Sequence, residues 1–243
     1  MSEENKRSIR ISVRNLVEFV LRSGDIDNRR SGNAQKDAML AGGRIHRKIQ
    51  KRMGSGYRAE VPLKHEVTDD EQEIVLSVEG RADGIFTENG ITVIDEIKGM
   101  YTDVARLEAP IEVHLAQAMC YGYFYCCDKD LDGIRLQLTY CNLETEEIRR
   151  FQTDRSKEEL EQWFSGVVHE YFKWARYLYH HELTRDASIR NLEFPYPYRE
   201  GQRDLVVSVY RTISRKKRLF IQAPTGIGKT LSTVFPAVRA IGE

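Results

Sequence analysis

The chain has 243 residues, 41% hydrophobic and 30% charged, a composition that allows a globular core and gives no sign of disorder. That length holds one large domain, or one medium domain and a further piece. Lys+Arg and Asp+Glu each number 37, so the formal net charge is zero and any grip on nucleic acid must come from local patches rather than bulk charge.

No apolar run approaches the roughly 18 residues that would span a bilayer, so no membrane segment is expected. The opening MSEENKRSIR lacks the apolar stretch of a secretory signal, and a cytoplasmic protein is expected. The cysteines Cys120, Cys126, Cys127 and Cys141 lack the paired spacing of a zinc site and read as buried thiols in a reducing compartment.

In chain order, residues 12–22 read as a helix with Ser12 as N-cap, Leu16, Phe19 and Val20 on one face, and Gly24 as its end. Residues 23–36 read as a polar loop. A second helix follows over 37–53, with Ala38, Ala41, Ile45 and Ile49 at helical spacing. Gly42 and Gly43 inside it each cost roughly 1 kcal/mol against alanine, which predicts a close approach by another element there. Strands are expected over 57–68, 74–86 and 91–98, separated by an acidic turn at 68–73 and by Glu88-Asn89-Gly90. A helix over 112–127 and strands over 134–141 and 147–153 come next. A long helix starts at Ser156, where Glu159 completes a capping box. Its stripe of Leu160, Trp163, Phe164, Val167, Tyr171, Ala175 and Leu178 reads as core packing.

From Leu183 the character changes. The stretch Phe194-Pro195-Tyr196-Pro197-Tyr198 predicts an extended linker. After it come a helix over 202–213, a basic turn over 215–218, a short strand over 219–222 and a glycine-rich loop.

The hairpin around Asn89-Gly90 is the most informative stretch. Asn-Gly favours a two-residue turn in which both positions take positive φ. With these two at the tip, Glu88 faces Ile91, Phe86 faces Val93, Asp83 faces Glu96 and Arg81 faces Lys98. Directly opposed side chains have Cβ atoms about 4.5–5.5 Å apart. Two carboxylates there repel unless a cation lies between them, and Mg²⁺ or Mn²⁺ takes such hard oxygen ligands. Alternation puts Lys98 on the same face as Glu96. Two carboxylates for a metal with a lysine beside them suit phosphodiester hydrolysis. The competing reading is a hairpin whose acids merely face water.

Other residues bear on the choice. His46 lies one helical turn after Gly42, where a histidine is either a ligand or ordinary packing. Gln117 and Tyr121, four apart, share a helix face and serve either the site or simple packing. Arg47, Lys48, Lys51 and Arg52 follow His46 and form either a DNA-backbone contact or a solvated helix face.

A Gly-x-x-x-His helix, an isolated strand Asp, a Glu-x-Lys in the next strand and a Gln-x-x-x-Tyr helix, in that order, resemble the RecB-type branch of the PD-(D/E)XK nucleases over roughly residues 10–180. The resemblance implies a restriction-endonuclease-like α/β fold, a central mixed sheet flanked by helices. It implies a metal-dependent DNase, an exonuclease acting on single-stranded DNA or DNA ends. His46, Asp83 and Glu96 would hold the Mg²⁺ or Mn²⁺, joined by the main-chain carbonyl of Ile97. Lys98 would be the catalytic lysine, with Gln117 and Tyr121 supporting the site and the DNA. Some relatives carry a four-iron cluster on a C-terminal cysteine cluster. The cysteines here sit elsewhere, and no iron–sulfur cluster is expected.

A second motif, Ala223-Pro224-Thr225-Gly226-Ile227-Gly228-Lys229-Thr230, reads as a phosphate loop between a strand and a helix. Gly226 and Gly228 would let the backbone cradle phosphates. Lys229 would reach the β/γ-phosphates of ATP and Thr230 would bind its Mg²⁺. With Gln202 in the place of an adenine contact, residues 194–230 resemble the start of a DinG/XPD-like superfamily-two helicase. The organisation expected is a nuclease domain over 1–182, a linker over 183–200 and an opening piece of a helicase P-loop domain over 201–243.

Only 13 residues follow Thr230, with no acidic box and no arginine-bearing motor motif. ATP hydrolysis is therefore expected only of a longer parent protein, and the tail after about Leu192 is expected to be poorly ordered or to pair with another chain. The alternative to a nuclease is a catalytically silent DNA-binding module that tethers such a motor.

Overall fold

The computed structural model describes residues 6–22, 32–71 and 73–242, and of 32–39 and 242 the backbone alone. The chain divides into two units, Met1–Lys173 and Trp174–Glu243.

The first unit is α/β. Its six strands are β1 (Arg7–Ser12), β2 (Arg58–Thr68), β3 (Ile74–Glu88), β4 (Ile91–Met100), β5 (Gly133–Asn142) and β6 (Ile148–Ser156). They form one mixed sheet in the order β1-β3-β4-β5-β6, with β2 also on β3. β1 with β3 and β4 with β5 are parallel pairs, and the other pairs are antiparallel. The inner strands read as nearly continuous apolar runs because both faces are covered. Ile74, Leu76, Val78, Val93, Ile94, Ile97, Leu136 and Leu138 are all fully buried.

Helix α1 (Val13–Val20) follows β1 directly, and Ser12 caps it by accepting the Asn15 N–H at 3.1 Å. Gly24, the expected stop, lies outside the described residues. Helix α2 (Gly32–Arg52) begins earlier than the sequence predicts, so residues 32–36 are helical rather than loop. Its Ile45 and Ile49 pack with Ile97 and Cys141 on one face of the sheet. Helix α3 (Glu112–Lys129) covers the other face, reaching Lys98 through Gln117 and Leu136 through Gly122.

The predicted capping box is present at the start of α4 (Lys157–Arg190). Ser156 N–H donates to Glu159 Oε2 at 2.9 Å, and Glu159 N–H donates to Ser156 Oγ at 3.2 Å. Leu160, Phe164, Val167 and Ala175 are buried as expected, but Leu178 is exposed and Val168 and Phe172 take core positions instead.

Other expectations need correction. β1 was not foreseen, because Arg7–Ser12 alternates weakly and carries charge. Neither Gly42 nor Gly43 is crowded where a Cβ would stand. The close approach at this point belongs to Gly99, whose Cβ would lie 3.6 Å from the Gly42 Cα.

In the second unit α4 continues to Arg190, so the segment 183–200 is helical in its first half and irregular in its second. Helices α5 (Gln202–Ser214) and α6 (Lys229–Arg239) pack on each other. Residues 219–222 are not a strand, and Phe220 stands exposed. A strand exists only through a ladder, and among the described residues none runs beside this segment. No helix among the described residues is long and apolar enough to cross a membrane.

One sheet position is exceptionally tight. The Tyr57 ring lies where a side chain on Gly84 would stand, and its hydroxyl donates to the buried Asp95 at 3.0 Å. Gly84→Ala is expected to lower the unfolding free energy by about 1–3 kcal/mol, as overpacked cores do. Urea denaturation measures this, and a variant as stable as the parent would contradict the packing.

Candidate functional site

The site forms where strand pairing changes. β2 runs along one edge of β3 for nearly its whole length. The opposite edge is shared. β1 pairs with residues 74–79 and β4 with residues 84–88. Residues 80–83 therefore have no strand beside them on that edge among the described residues.

The hairpin tip has the predicted register, with Glu88 opposite Ile91 and Phe86 opposite Val93. Asn89 and Gly90 take φ of 51° and 80°. The ladder stops at Gly84 opposite Asp95, one step short of the predicted Asp83–Glu96 pair. There a side chain replaces the ladder, as Asp83 Oδ2 accepts the Ile97 N–H at 2.7 Å.

Asp83, Glu96 and Lys98 come together around this break. Lys98 Nζ lies 2.6 Å from Glu96 Oε1 and donates to Gln117 Oε1 at 2.8 Å. Glu96 is buried, and its Oε2 has no hydrogen-bond partner. Burial first, and then the negative charge of Asp83, push the Glu96 carboxyl up to about 7 against the pull of Lys98.

His46 reaches the same point from α2, its Nδ1 3.3 Å from Asp83 Oδ1. Burial lowers the His46 pKa, but the hydrogen bond and charge of Asp83 outweigh it and leave it raised. Asp95, next to Glu96 in the chain, points to the other face. Thr139 donates to it at 2.6 Å and Tyr57 at 3.0 Å, so it belongs to a satisfied buried network apart from the site.

Tyr121 packs where Gly80 lacks a side chain. A Cβ on Gly80 would lie 2.6 Å from the Tyr121 hydroxyl. That oxygen accepts a backbone hydrogen bond from Arg81. Burial raises the Tyr121 pKa, and the nearby Glu96 and Asp83 charges raise it further. Lys98 is thus braced by Gln117, while Tyr121 supports the unpaired edge of β3.

Sequence reasoning missed Glu60 and Gln50. Gln50 lies one turn after His46 and donates to the Asp83 carbonyl at 3.0 Å, a position legible from helical spacing alone. Glu60 joins His46 and Asp83, one ligand atom of each lying within 4.8 Å of the others. Finding it needs the β2–β3 register, which the long acidic turn leaves open. An imidazole nitrogen, clustered carboxylate oxygens and an orphaned buried oxygen form a donor set that fits Mg²⁺ or Mn²⁺.

The basic residues Arg47, Lys48, Lys51 and Arg52 are exposed on the solvent side of α2. Lys48 is ion-paired with Glu146 of the β5–β6 turn, and Arg52 approaches the same carboxylate at 3.7 Å. The four cysteines are free, three on α3 and Cys141 on β5.

The predicted nucleotide-contacting residues gather in the second unit. Gly226 and Gly228 take φ of 91° and 83°, and Gly228 caps α6. The Gln202 amide packs against Gly228, so a Cβ there would lie 2.5 Å from Gln202 Nε2. Lys229 Nζ donates to the Ala223 and Pro224 carbonyls at 3.1 and 2.8 Å, and Thr230 stands exposed at the helix start.

No family profile matches the chain. A stretch of 47 residues, 19% of the chain, is 45% identical to the probable ATP-dependent helicase MJ0942 of Methanocaldococcus jannaschii. The matched stretch spans 7% of that protein's length, so the likeness is a local link to a helicase. The crystal structure of SSO0001 aligns with a TM-score of 0.43 and 18% identity, over 69% of this chain and 77% of that one. A likeness of that size carries no argument about function.

His114 lies on the Gln117 face of α3, its Nδ1 3.3 Å from the Tyr140 hydroxyl. Burial first, then the Lys98 and Arg14 charges, lower its pKa from 6.5 to about 4. The unfolded chain binds this proton more readily, so its effect is absent above pH 6.5 and destabilises the fold as pH falls toward 4. The loss is on the order of 2 kcal/mol. Denaturation of His114→Gln beside the parent is expected to show a shallower decline over that window, and identical slopes would contradict the assignment.

Proposed function

We propose that the first unit is a metal-dependent deoxyribonuclease of the PD-(D/E)XK type, RecB-like. We read it as hydrolysing phosphodiester bonds of single-stranded DNA or DNA ends. In this reading it is the nuclease part of a DinG-like helicase–nuclease of DNA repair or processing. The observation that carries the proposal is the convergence of His46, Asp83, the half-partnered buried Glu96 and Lys98 at the break in the β3–β4 ladder.

His46, Asp83 and Glu96 would hold Mg²⁺ or Mn²⁺, with the Ile97 carbonyl joining them by resemblance. When bound, such a cation acidifies water and polarises the phosphate. The chain's own groups do the rest. Gln117 fixes the Lys98 ammonium, which places a positive charge where negative charge develops on the phosphate. Asp83 ties β4 to β3 through the Ile97 N–H and so holds Glu96 and Lys98 in place. Since Glu146 engages Lys48 and Arg52, contact with the DNA backbone falls first to Arg47 and Lys51.

The loop at Gly226–Lys229 supports a nucleotide-binding role for the second unit, with Gln202, Gly226, Gly228, Lys229 and Thr230 facing ATP in this reading. The helicase-like stretch supports this reading.

The test is cleavage of end-labelled single- and double-stranded DNA, linear and circular, with Mn²⁺, Mg²⁺ or EDTA. Wild type is expected to cut only with metal. Lys98→Ala is expected to lose about 10²–10³-fold in rate while still binding Mn²⁺. A variant that cuts like wild type removes Lys98 from the chemistry. A wild type that binds DNA and never cuts replaces the nuclease with a tethering module.

A further inference from the structure

Glu60 has no signature in the sequence, yet the fold brings its carboxylate to His46 and Asp83, with one ligand atom of each within 4.8 Å of the others. Gln50 donates to Glu60 Oε1 at 3.2 Å and to the Asp83 carbonyl at 3.0 Å, so one side chain of α2 anchors both acids. The Glu60 backbone is unusual. Its φ is 54°, although regular pairs flank it, Ala59 opposite Gly84 and Val61 opposite Ala82. A non-glycine residue in the left-handed region inside a strand is strained and serves no turn here. An independent pointer to a ligand is Glu96 Oε2, buried without a hydrogen-bond partner.

We infer that Glu60 is a ligand of the divalent cation at this centre, beside His46 and Asp83, and that it completes the centre's charge. The inference rests on the metal-centre reading proposed above. Asp83, Glu96 and Glu60 bring three negative charges, and Lys98 offsets one of them. The remaining two match one divalent cation. Without Glu60 a single negative charge would face it. The donor character follows too. One imidazole nitrogen among carboxylate oxygens suits Mn²⁺ better than Ca²⁺, which takes oxygen alone. Glu60 is exposed while Glu96 is buried, so the two acids close the site from its solvent side and its protein side.

Calorimetric titration of the full chain with MnCl₂ tests the assignment. Glu60→Gln keeps the shape of the side chain and is expected to weaken Mn²⁺ binding about tenfold or more, while Asp83→Asn is expected to abolish it. Near-parental binding by Glu60→Gln, with binding lost in Asp83→Asn, overturns the role of Glu60 and leaves the metal centre standing. Undiminished binding in both variants overturns the two readings together. Glu60→Gly provides a second measurement, because glycine adopts φ near 54° without strain. It is expected to melt no lower than wild type in EDTA and to lose most of the rise in Tm that Mn²⁺ gives the parent. Retention of the full rise overturns the assignment.

Discussion

The constraint on which the first unit depends is the divided edge of β3. β1 ends opposite Glu79 and β4 begins pairing at Gly84, so among the described residues the backbone between them has no ladder on that side. Buried N–H groups at such a break need partners. Two side chains supply them. The Tyr121 hydroxyl takes the Arg81 hydrogen bond, and Asp83 takes the Ile97 N–H. Gly80 is the condition for the first, since any side chain there would displace the tyrosine ring. The polar atoms that finish the sheet are thus the ones that bring α3 and β4 to the acidic cluster.

Within that gap the electrostatics are unbalanced, and Asp95 shows that burial alone is not the cause. Asp95 and Glu96 are adjacent in one strand, both are buried, and burial raises both carboxyls. Asp95 is satisfied by Thr139 and Tyr57. Glu96 satisfies one oxygen with Lys98 and leaves the other orphaned, with Asp83 repelling it. A strand-borne acid can therefore be fully partnered in this core, and Glu96 is not. Unpaired buried charge is costly, and a cation is the kind of partner that removes the cost for Glu96.

Local chemistry was legible in the sequence wherever it also fixed geometry. Asn89-Gly90 gave the hairpin register, and with it the approach of Asp83 to Glu96 and Lys98, because the turn type leaves little choice. The Ser156–Glu159 box located the start of α4 for the same reason. What was not legible depended on pairing at a distance. β1 becomes a strand only because Ile74–Glu79 offers it an edge. Glu60 joins the site through a register set beyond a long turn. The converse holds at 219–222, where apolar β-formers fail to make a strand because no neighbour is present among the described residues.

The second unit carries that distinction further. Its loop conformation does not wait for a sheet. Gly226 and Gly228 take positive φ, Gln202 packs on Gly228, Arg199 bonds the Gly226 carbonyl, and Ser232 bonds the Gly228 carbonyl. Each of these contacts stays within residues 199–232. The groups expected to meet a nucleotide are therefore gathered by local packing. The part of the motif that relies on strand pairing, the segment leading into the loop, is the part that stays irregular. The Lys229 ammonium follows the same local logic, donating to the Ala223 and Pro224 carbonyls at 3.1 and 2.8 Å within its own loop.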